Sequence, residues 1–420
     1  MIDVKDLLER PDVYRENCVT RNINLPFDEI IACIKERRKL RREIDDIRAM
    51  INTSSKVRPN DEIRAQIRER GELLRTLESK EKEVAKKESE FLFMIPNLNH
   101  ASVPISKDPN TEVIVREVGD KPVFKFEPLD HQSLGEKMGI IDMESGIKVS
   151  GTRFWYLRGD LVNLQMSLIV HVLGMAQERG FIPALPPVLV KENAMLGTGF
   201  LPADEKELYR VNHLTDNLFL VGTSEVPLVG AYQDQILTLS PGKPLRVVGY
   251  SSCFRREAGA AGKDTRGILR GHQFDKIELV VVCHPDDGDA QHLAILDLEE
   301  SILQSLKIPY RVRDIVSSDL GNPAARKFDI EAWIPSQKTY REVTSTSHCT
   351  DFQARRLGIR FKSNVDDKPV LAHTLNGTAC ALGRTIITIM ENFQEEDGRI
   401  RVPETLLRYG MLKEYLRPLV

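Results

Sequence analysis

Two stretches with apolar residues three or four apart, separated by a short polar reversal, constrain this 420-residue chain more than any other feature. In the first, Ile30, Cys33, Leu40, Ile44, Ile47 and Ile51 recur with one gap at Arg37. In the second, Ile63, Ile67, Leu74, Leu77, Val84 and Phe91 recur, with Arg70, Glu81 and Glu88 at the intervening heptad positions. That spacing is the seam of a coiled coil. Between the two, NTSSKVRPND over 52–61 supplies residues that stop one helix and cap the next, and Pro96 closes the second run. The expectation is an antiparallel two-helix arm over about 28–95. Its first helix, at about 25 residues and 1.5 Å rise each, would reach roughly 35 to 40 Å and project into solvent.

Within the first helix, Lys35, Arg37, Arg38, Lys39, Arg41, Arg42 and Arg48 outnumber Glu36, Glu43, Asp45 and Asp46. Such a run is either a solvated coiled-coil face, a dimerisation stalk, or a rigid basic surface for a nucleic-acid backbone. Whole-chain charge does not decide between them. Lys+Arg at 59 against Asp+Glu at 62 gives a net charge of -3, so any polyanion must be met by a local basic patch.

Hydrophobic residues at 41% and charged residues at 29% describe a folding globule rather than a disordered chain, and the length suits two or three domains. The longest apolar run near a strand pattern, Leu279 to Cys283, falls far short of the roughly 20 residues needed to cross a bilayer, so membrane spanning is not expected. Asp3, Asp6 and Glu9 stand where an export signal carries positive charge, and cytoplasmic residence is the expectation. The six cysteines lie far apart with no Cys-x-x-Cys pair, and the nine histidines form no metal-like cluster along the chain.

A polar connector, Asn97 to Pro109, ends the first domain, taken as 1–108. Apolar alternation returns in EVIVREV and KPVFKFEPL, and 109–420 reads as an α+β domain. Strand patterns in LFLVGT, RVVGYSSCF, KIELVVVC, YRVRDIV and KFDIEAWI lack regular βα alternation, so an antiparallel sheet flanked by helices is expected.

Several common sites fail. Gly262-Lys263 is followed by Asp264 where a P-loop needs Ser or Thr, and Gly197-x-Gly199 meets Pro202 where a dinucleotide fingerprint needs Gly. Neither His-Glu-x-x-His nor Gly-x-Ser-x-Gly occurs. The segment FRREAGAAGKDTRGILRGHQFDKIEL, 254–279, instead reads as a hairpin with a Gly-rich, mobile loop. Arg255 and Glu257, two apart on a strand, would share a face, either as a cross-strand ion pair or as a cation and a carboxylate converging on one ligand.

This segment resembles motif two of the class II aminoacyl-tRNA synthetases, in the form carried by the seryl-tRNA synthetases. GFIPALPPVLV, 180–190 with Pro187, resembles motif one; LNGTACALGRTIITIMENFQEEDGRIRVPETL, 375–406, resembles motif three. VGTSEVPL and REVTSTSHCTDFQARR match the seryl form, and the likeness runs from the N-terminal MIDVKDLLERPDVYRENC to the end.

The resemblance implies a homodimer with motif one at the subunit interface, ATP and Mg²⁺ as reactants, L-serine as substrate, and as partner the tRNA for serine, alone or together with that for selenocysteine. Arg255 and Arg384 would be the catalytic residues, on the α- and γ-phosphates. The ATP site would comprise Arg255, Arg256, Glu257 on the adenine amino group, Gly271, His272, Gln273, Phe274 stacking on the base, Glu342, Val343, Thr344, Ser345 and Arg384. Glu342 and Ser345 would hold Mg²⁺, which favours hard oxygen donors. Thr223, Ser224, Glu225, Glu278, Asn376 and Thr378 would form the serine pocket, and Arg37, Arg38, Arg41 and Arg42 the tRNA-binding face of the arm. His272 and His348 read as structural, and no general base is needed because the serine carboxylate is already ionised.

Two departures from the family pattern stand out, Arg256 where Ser is common and His348 where Asn is common. Two rival readings compete with this one. A synthetase-like ligase loading a carrier protein would lack the arm and use a metal-centred pocket, and a non-catalytic RNA-binding or coiled-coil relative would first lose Arg255, Arg384 or Glu342.

Overall fold

The computed structural model describes residues 2–54, 61–212, 214–238, 242–258, 266–364 and 366–419. They fall into two compact units, Met1–Pro96 and Asn97–Val420. The connector 97–109 therefore groups with the second unit, where the sequence reading had ended the first domain at 108. Asn97 ties it there: its side-chain amide donates to the carbonyls of Pro323 and Cys349 at 2.9 and 2.8 Å.

The first unit has two short helices, α1 (Val4–Glu9) and α2 (Pro11–Thr20), and two long ones, α3 (Phe27–Ser54) and α4 (Asp61–Met94). At 28 and 34 residues the long pair would measure about 42 and 51 Å. The expected reversal falls mostly on 55–60, outside the described residues. Seam positions are buried or half-buried while most of the residues between them are exposed; at the base Leu92 is the buried residue and Phe91 only half-buried. The polar interruptions of the seam meet one another. Arg37 donates to Glu81 at 2.9 Å and Glu88 at 3.0 Å, and Arg41 reaches the same Glu81 oxygen at 3.0 Å. A buried or half-buried charge set at one level of a coiled coil favours one register over its neighbours.

The second unit is α+β. Its main sheet is built from β1 (Ile114–Val118), β2 (Ile182–Ala184), β3 (Leu245–Phe254), β4 (Gln273–Cys283), β5 (Tyr310–Asp314), β6 (Arg326–Ile334), β7 (Thr339–His348) and β8 (His373–Ala381). Among the described residues the order is β1-β5-β6-β7-β8-β4-β3-β2, antiparallel throughout except for the β2–β3 pair. The LFLVGT segment lies elsewhere, as Leu218–Leu220 in a small sheet with Leu189–Lys191 and Tyr209–Val211. KPVFKFEPL forms no strand despite its alternation; it has no pairing partner and runs as irregular chain with one bend at 125–126.

Strand β4 shows how the sheet works. Ile277, Leu279, Val281 and Cys283 enter a large core covered by α5 (Asp160–Glu178), α8 (Gly288–Ser305) and α10 (Leu382–Asn392), whereas Val280 and Val282 enter a second apolar cluster on the opposite face. That second cluster includes Leu228 and Val229 of α7 (Glu225–Gly230) and Ala354 and Leu357 of α9 (Phe352–Leu357). Because alternate side chains point to opposite faces, Lys276 and Glu278 share the face of Val280 and Val282. Helix α6 (Glu192–Thr198) packs against both α7 and α9.

Helix α8 approaches β8 closely at Gly377, where a Cβ would lie 2.4 Å from Ile295 Cγ2 and 2.5 Å from Glu299 Oε1. Glu299 itself is fully buried. Neither of its carboxyl oxygens has a partner of acceptable geometry, and the neighbouring Thr344 hydroxyl donates instead to the Thr378 carbonyl. Burial, reinforced by Glu278, holds this carboxyl well above its ordinary 4.5. The folded state therefore grips the proton more tightly than the unfolded chain. Glu299's contribution to stability is fullest below pH 4.5 and falls as the pH rises. Glu299→Gln is expected to stabilise the protein by roughly 1–3 kcal/mol at pH 8 and by much less at pH 5, read from denaturant midpoints at both values. An equal gain at the two pH values would mean that the carboxyl does not titrate in place.

Candidate active site

The ends of β3, β4, β7 and β8 open on a cavity of about 550 Å³. Arg255, Glu257, Phe274, Glu342 and Arg384 line it together with Thr223, Glu225, Glu278, Asn376 and Thr378. Gly271, Val343, Thr344 and Ser345 complete the predicted residues that it gathers. These come from five separated stretches of chain, brought together by strand pairing. Glu278 lies opposite Thr378 across β4–β8, and Ser347 opposite Asn376 across β7–β8.

At one end of the cavity the side chains are cationic and aromatic. The Arg255 guanidinium sits 5.4 Å from the centre of the Phe274 ring and donates to the Gly222 carbonyl at 3.3 Å. Arg255 and Glu257 are not on a strand, as the sequence reading had them. Strand β3 ends at Phe254, and Glu257 takes a left-handed backbone with φ of 50°. They face one cavity because the chain turns there, and Glu257 pairs with Arg270 at 3.2 Å. The paired strands β3 and β4 make the expected hairpin, while 259–265 of its loop lie outside the described residues.

Arg384, near the start of α10, donates to the Glu342 carbonyl at 2.8 Å and lies 3.5 Å from its carboxylate. A register shift in the β6–β7 pairing at Ile330/Glu331 accompanies the placement of Glu342, Thr344 and Ser345 on the cavity, with Val343 also packed against the core. Although burial works the other way, Lys327, then Arg384 and Arg255, hold the Glu342 carboxyl below the usual carboxylate range. An ionised carboxylate beside the Ser345 hydroxyl is a donor pair that suits a hard divalent cation.

The other end is a buried, acid-lined recess. Glu225 accepts from Gln353 at 2.7 Å and from Asn376 at 2.9 Å, and burial followed by repulsion from Glu278 pushes its carboxyl up to about 7. Glu278, 2% exposed, accepts from Thr378 at 3.3 Å and pairs with Lys276; burial raises its carboxyl, against the pull of Lys276. Lys276 also donates to the Thr223 hydroxyl at 2.8 Å.

Four predicted site residues do not line the cavity. Ser224 is buried at the start of α7. Arg256 and Gln273 are exposed, the former donating its amide to the Glu207 carbonyl at 2.9 Å. His272 shares a hydrogen bond with the Arg255 carbonyl at 3.0 Å, so its observed contact is with the backbone that carries Arg255. In the first unit, Arg38 and Arg42 are exposed and, among the described residues, show no ion-pair partner, whereas Arg37 and Arg41 are engaged across the helix pair. Four of the nine histidines, scattered in sequence, gather in space: His348 lies beside His100, His292 and His373, with ring centres 6.3, 6.0 and 5.3 Å away.

Sequence reasoning missed Lys276, Lys327, Arg270 and Gln353. A lysine two residues before Glu278 in an otherwise apolar strand was the available signal for Lys276, since an unpaired ammonium has no place in a core. Nothing local distinguished Lys327, which pairs with Asp329 at 2.8 Å.

The family model described as tRNA synthetase class II core domain (G, H, P, S and T) matches residues 209–393, and that described as Seryl-tRNA synthetase N-terminal domain matches 1–99. The Serine--tRNA ligase of Corynebacterium glutamicum is 43% identical, covering 100% of this chain and 99% of its own. That of Mycobacterium avium is 45% identical over 97% of each chain. The crystal structure of the Pyrococcus horikoshii seryl-tRNA synthetase complexed with ATP superposes with a TM-score of 0.91 at 38% identity, covering 100% of both chains.

Lys327 offers a test of how the cavity floor is held. Lys327→Met would leave Asp329 buried without its cation and is expected to cost about 2–4 kcal/mol in denaturant unfolding, while Lys327→Met/Asp329→Leu recovers most of that loss. A single variant as stable as the parent would show that the pair carries no structural load.

Proposed function

The chain belongs to the seryl-tRNA synthetase family, and we propose that it activates L-serine with ATP to seryl-adenylate and then transfers serine to the 3′ end of its cognate tRNA. The observation that carries this reading is the meeting of Arg255, Arg384 and Glu342 in one cavity that continues into the recess of Glu225 and Glu278. In the first step a serine carboxylate oxygen bonds to the α-phosphorus while the bond to the β-phosphate oxygen breaks and pyrophosphate leaves. Two anions must approach, so fixed cations supply the stabilisation. Arg255 takes the α-phosphate and Arg384 the γ-phosphate, guanidinium forks being suited to bidentate oxyanion contact.

Glu257 receives the adenine amino group and Phe274 stacks on the base. Glu342 and Ser345 would hold Mg²⁺, which when bound screens the phosphate charge. Glu225, Glu278, Thr223, Asn376 and Thr378 take the ammonium and hydroxyl of serine. A buried site built around a hydroxyl rejects alanine by leaving polar groups unpaired and rejects threonine by size. In the second step the terminal ribose hydroxyl attacks the acyl carbon, the bond to AMP breaks, and the departing phosphate accepts the proton. No protein base is assigned.

The arm meets the backbone of the tRNA for serine, because an A-form helix presents phosphates and shape rather than readable edges. Arg38 and Arg42, one turn apart and uncommitted to ion pairs, are the residues of the basic face best placed for this. The protein works as a homodimer: Val162, Met166 and Val170 form an exposed apolar stripe on α5, and Ile182 and Leu185 of motif one are also exposed, a surface that a second copy would cover. No helix among the described residues is long and apolar enough to cross a membrane. Substrates of this kind place the enzyme in the cytoplasm.

Arg255→Ala is expected to lower serine-dependent ATP–pyrophosphate exchange by about 10³-fold or more with an unchanged circular-dichroism spectrum; near-normal exchange would remove Arg255 from the phosphate site. Arg38→Ala/Arg42→Ala is expected to leave exchange intact, raise the KM for tRNA by about tenfold and flatten the salt dependence of tRNA binding by about two phosphate contacts. An unaltered salt slope would exclude both residues from the RNA contact.

A further inference from the structure

Among the side chains lining the cavity, Lys276 is the one whose burial calls most for a reason. Only 6% of it is exposed, and its ammonium donates to Thr223 Oγ1 at 2.8 Å while pairing with the Glu278 carboxylate. A buried ion pair gives back in attraction roughly what it loses in hydration, so apolar residues of similar volume would serve the fold as well. The same face of β4 shows that alternative two residues further on, where Val280 and Val282 pack into the apolar cluster. The charged pair occurs only where the strand enters the cavity.

We propose that Lys276 is a positioning residue for the amino-acid step: its ammonium, fixed by Thr223, keeps the Glu278 carboxylate ionised and oriented to receive the substrate's ammonium or hydroxyl. This rests on the serine-pocket reading given above. The surroundings of Glu278 explain the need. Burial is the main influence raising its carboxyl, with Glu225 at the start of α7 and Glu299 on α8 as neighbouring buried acids, while Lys276, then Arg255 beyond the end of β3 and the Thr378 hydroxyl on β8, oppose it. Without Lys276, Glu278 would sit between two other carboxyl groups in a buried site and take up a proton. A neutral acid cannot balance a substrate ammonium.

The test compares L-serine with serinol, which keeps the ammonium and hydroxyl but has no carboxylate, by titration calorimetry between pH 6.0 and 8.5. In Lys276→Met both ligands are expected to bind about 100-fold more weakly than to the parent at pH 6.5. Each should recover about tenfold by pH 8.5 as Glu278 ionises, with ATP affinity held within about threefold. Lys276→Met/Glu278→Gln contains no uncompensated buried charge and serves as the fold control; its remaining pH dependence should be that of Glu225 alone. Lys276→Arg should restore most of the affinity for both ligands.

A loss that does not change with pH would reduce Lys276 to a packing role and overturn the proposal. So would a loss confined to serine with serinol unaffected, which would make Lys276 a direct ligand of the substrate carboxylate. Unchanged affinity for both ligands would also overturn it. If the parent protein shows no serine-dependent exchange at all, it is the functional reading that fails, before Lys276 is tested.

Discussion

The register of β4 between β3 and β8 is the constraint on which the rest of the second unit depends. Its odd-numbered apolar residues must enter the main core, and this obliges Lys276 and Glu278 to face the cavity. A slip of one residue would put two charges into the core and Ile277 and Leu279 outside it, an exchange costing far more than any single contact in the site is worth. The pairing of Glu278 with Thr378, and of Ser347 with Asn376, follows from that register, so the recess is assembled by the same hydrophobic alternation that folds the sheet. Strand β8 meets β4 with a shift at Ile277/Glu278, which lets both Ala379 and Cys380 join the core while Asn376 and Thr378 stay on the cavity.

Charge is sorted along the cavity. Cations collect where phosphates are proposed to sit, with Arg255, Arg270 and Arg384 at that end, and acids collect in the recess, with Glu225 and Glu278. Each group is partly compensated by a member of the opposite sign: Glu342 stands beside Arg384, Glu257 beside Arg270, and Lys276 beside Glu278. Partial compensation keeps the apo protein from repelling itself apart while leaving hydrogen-bonding capacity for ligands.

How legible this was depended on the range of the interactions involved. The arm could be read from periodicity because its seam is local and repeats, and Arg37, Glu81 and Glu88 could be marked as interruptions. That these three meet one another could not be read, since it requires the pairing level of two helices. The α+β character and the hairpin around 254–279 were visible in strand patterns and Gly-rich composition. KPVFKFEPL, which alternates without forming a strand, shows the limit of alternation, which identifies a segment able to pair but not whether a partner is at hand. The turn at Arg255 to Glu257 was hidden for a related reason: nothing in three residues says that the ladder stops at Phe254 and that Glu257 takes a positive φ. Lys327 looks like an ordinary surface lysine in one dimension and becomes half-buried only once the sheet closes over it.

The polar layer beneath the recess shows how the fold and the proposed site bear on each other. Glu299 on α8 lies against Gly377, between the two β8 residues, Asn376 and Thr378, that face the cavity. Thr346, close to the same glycine, donates to the Asn376 carbonyl at 3.0 Å, and His292 shares a hydrogen bond with the Thr346 carbonyl at 3.1 Å. An apolar helix face would support β8 with less electrostatic cost, since a buried acid without a partner is destabilising. Its cost is borne where the helix meets the site-bearing strand at Gly377. Any ionisation of Glu299 adds negative charge under Glu278, working against the ammonium of Lys276 from the opposite face of the sheet. Glu278 thus lies between a lysine within the recess and a buried carboxyl beneath the sheet, with burial raising its own carboxyl and Lys276 opposing that rise.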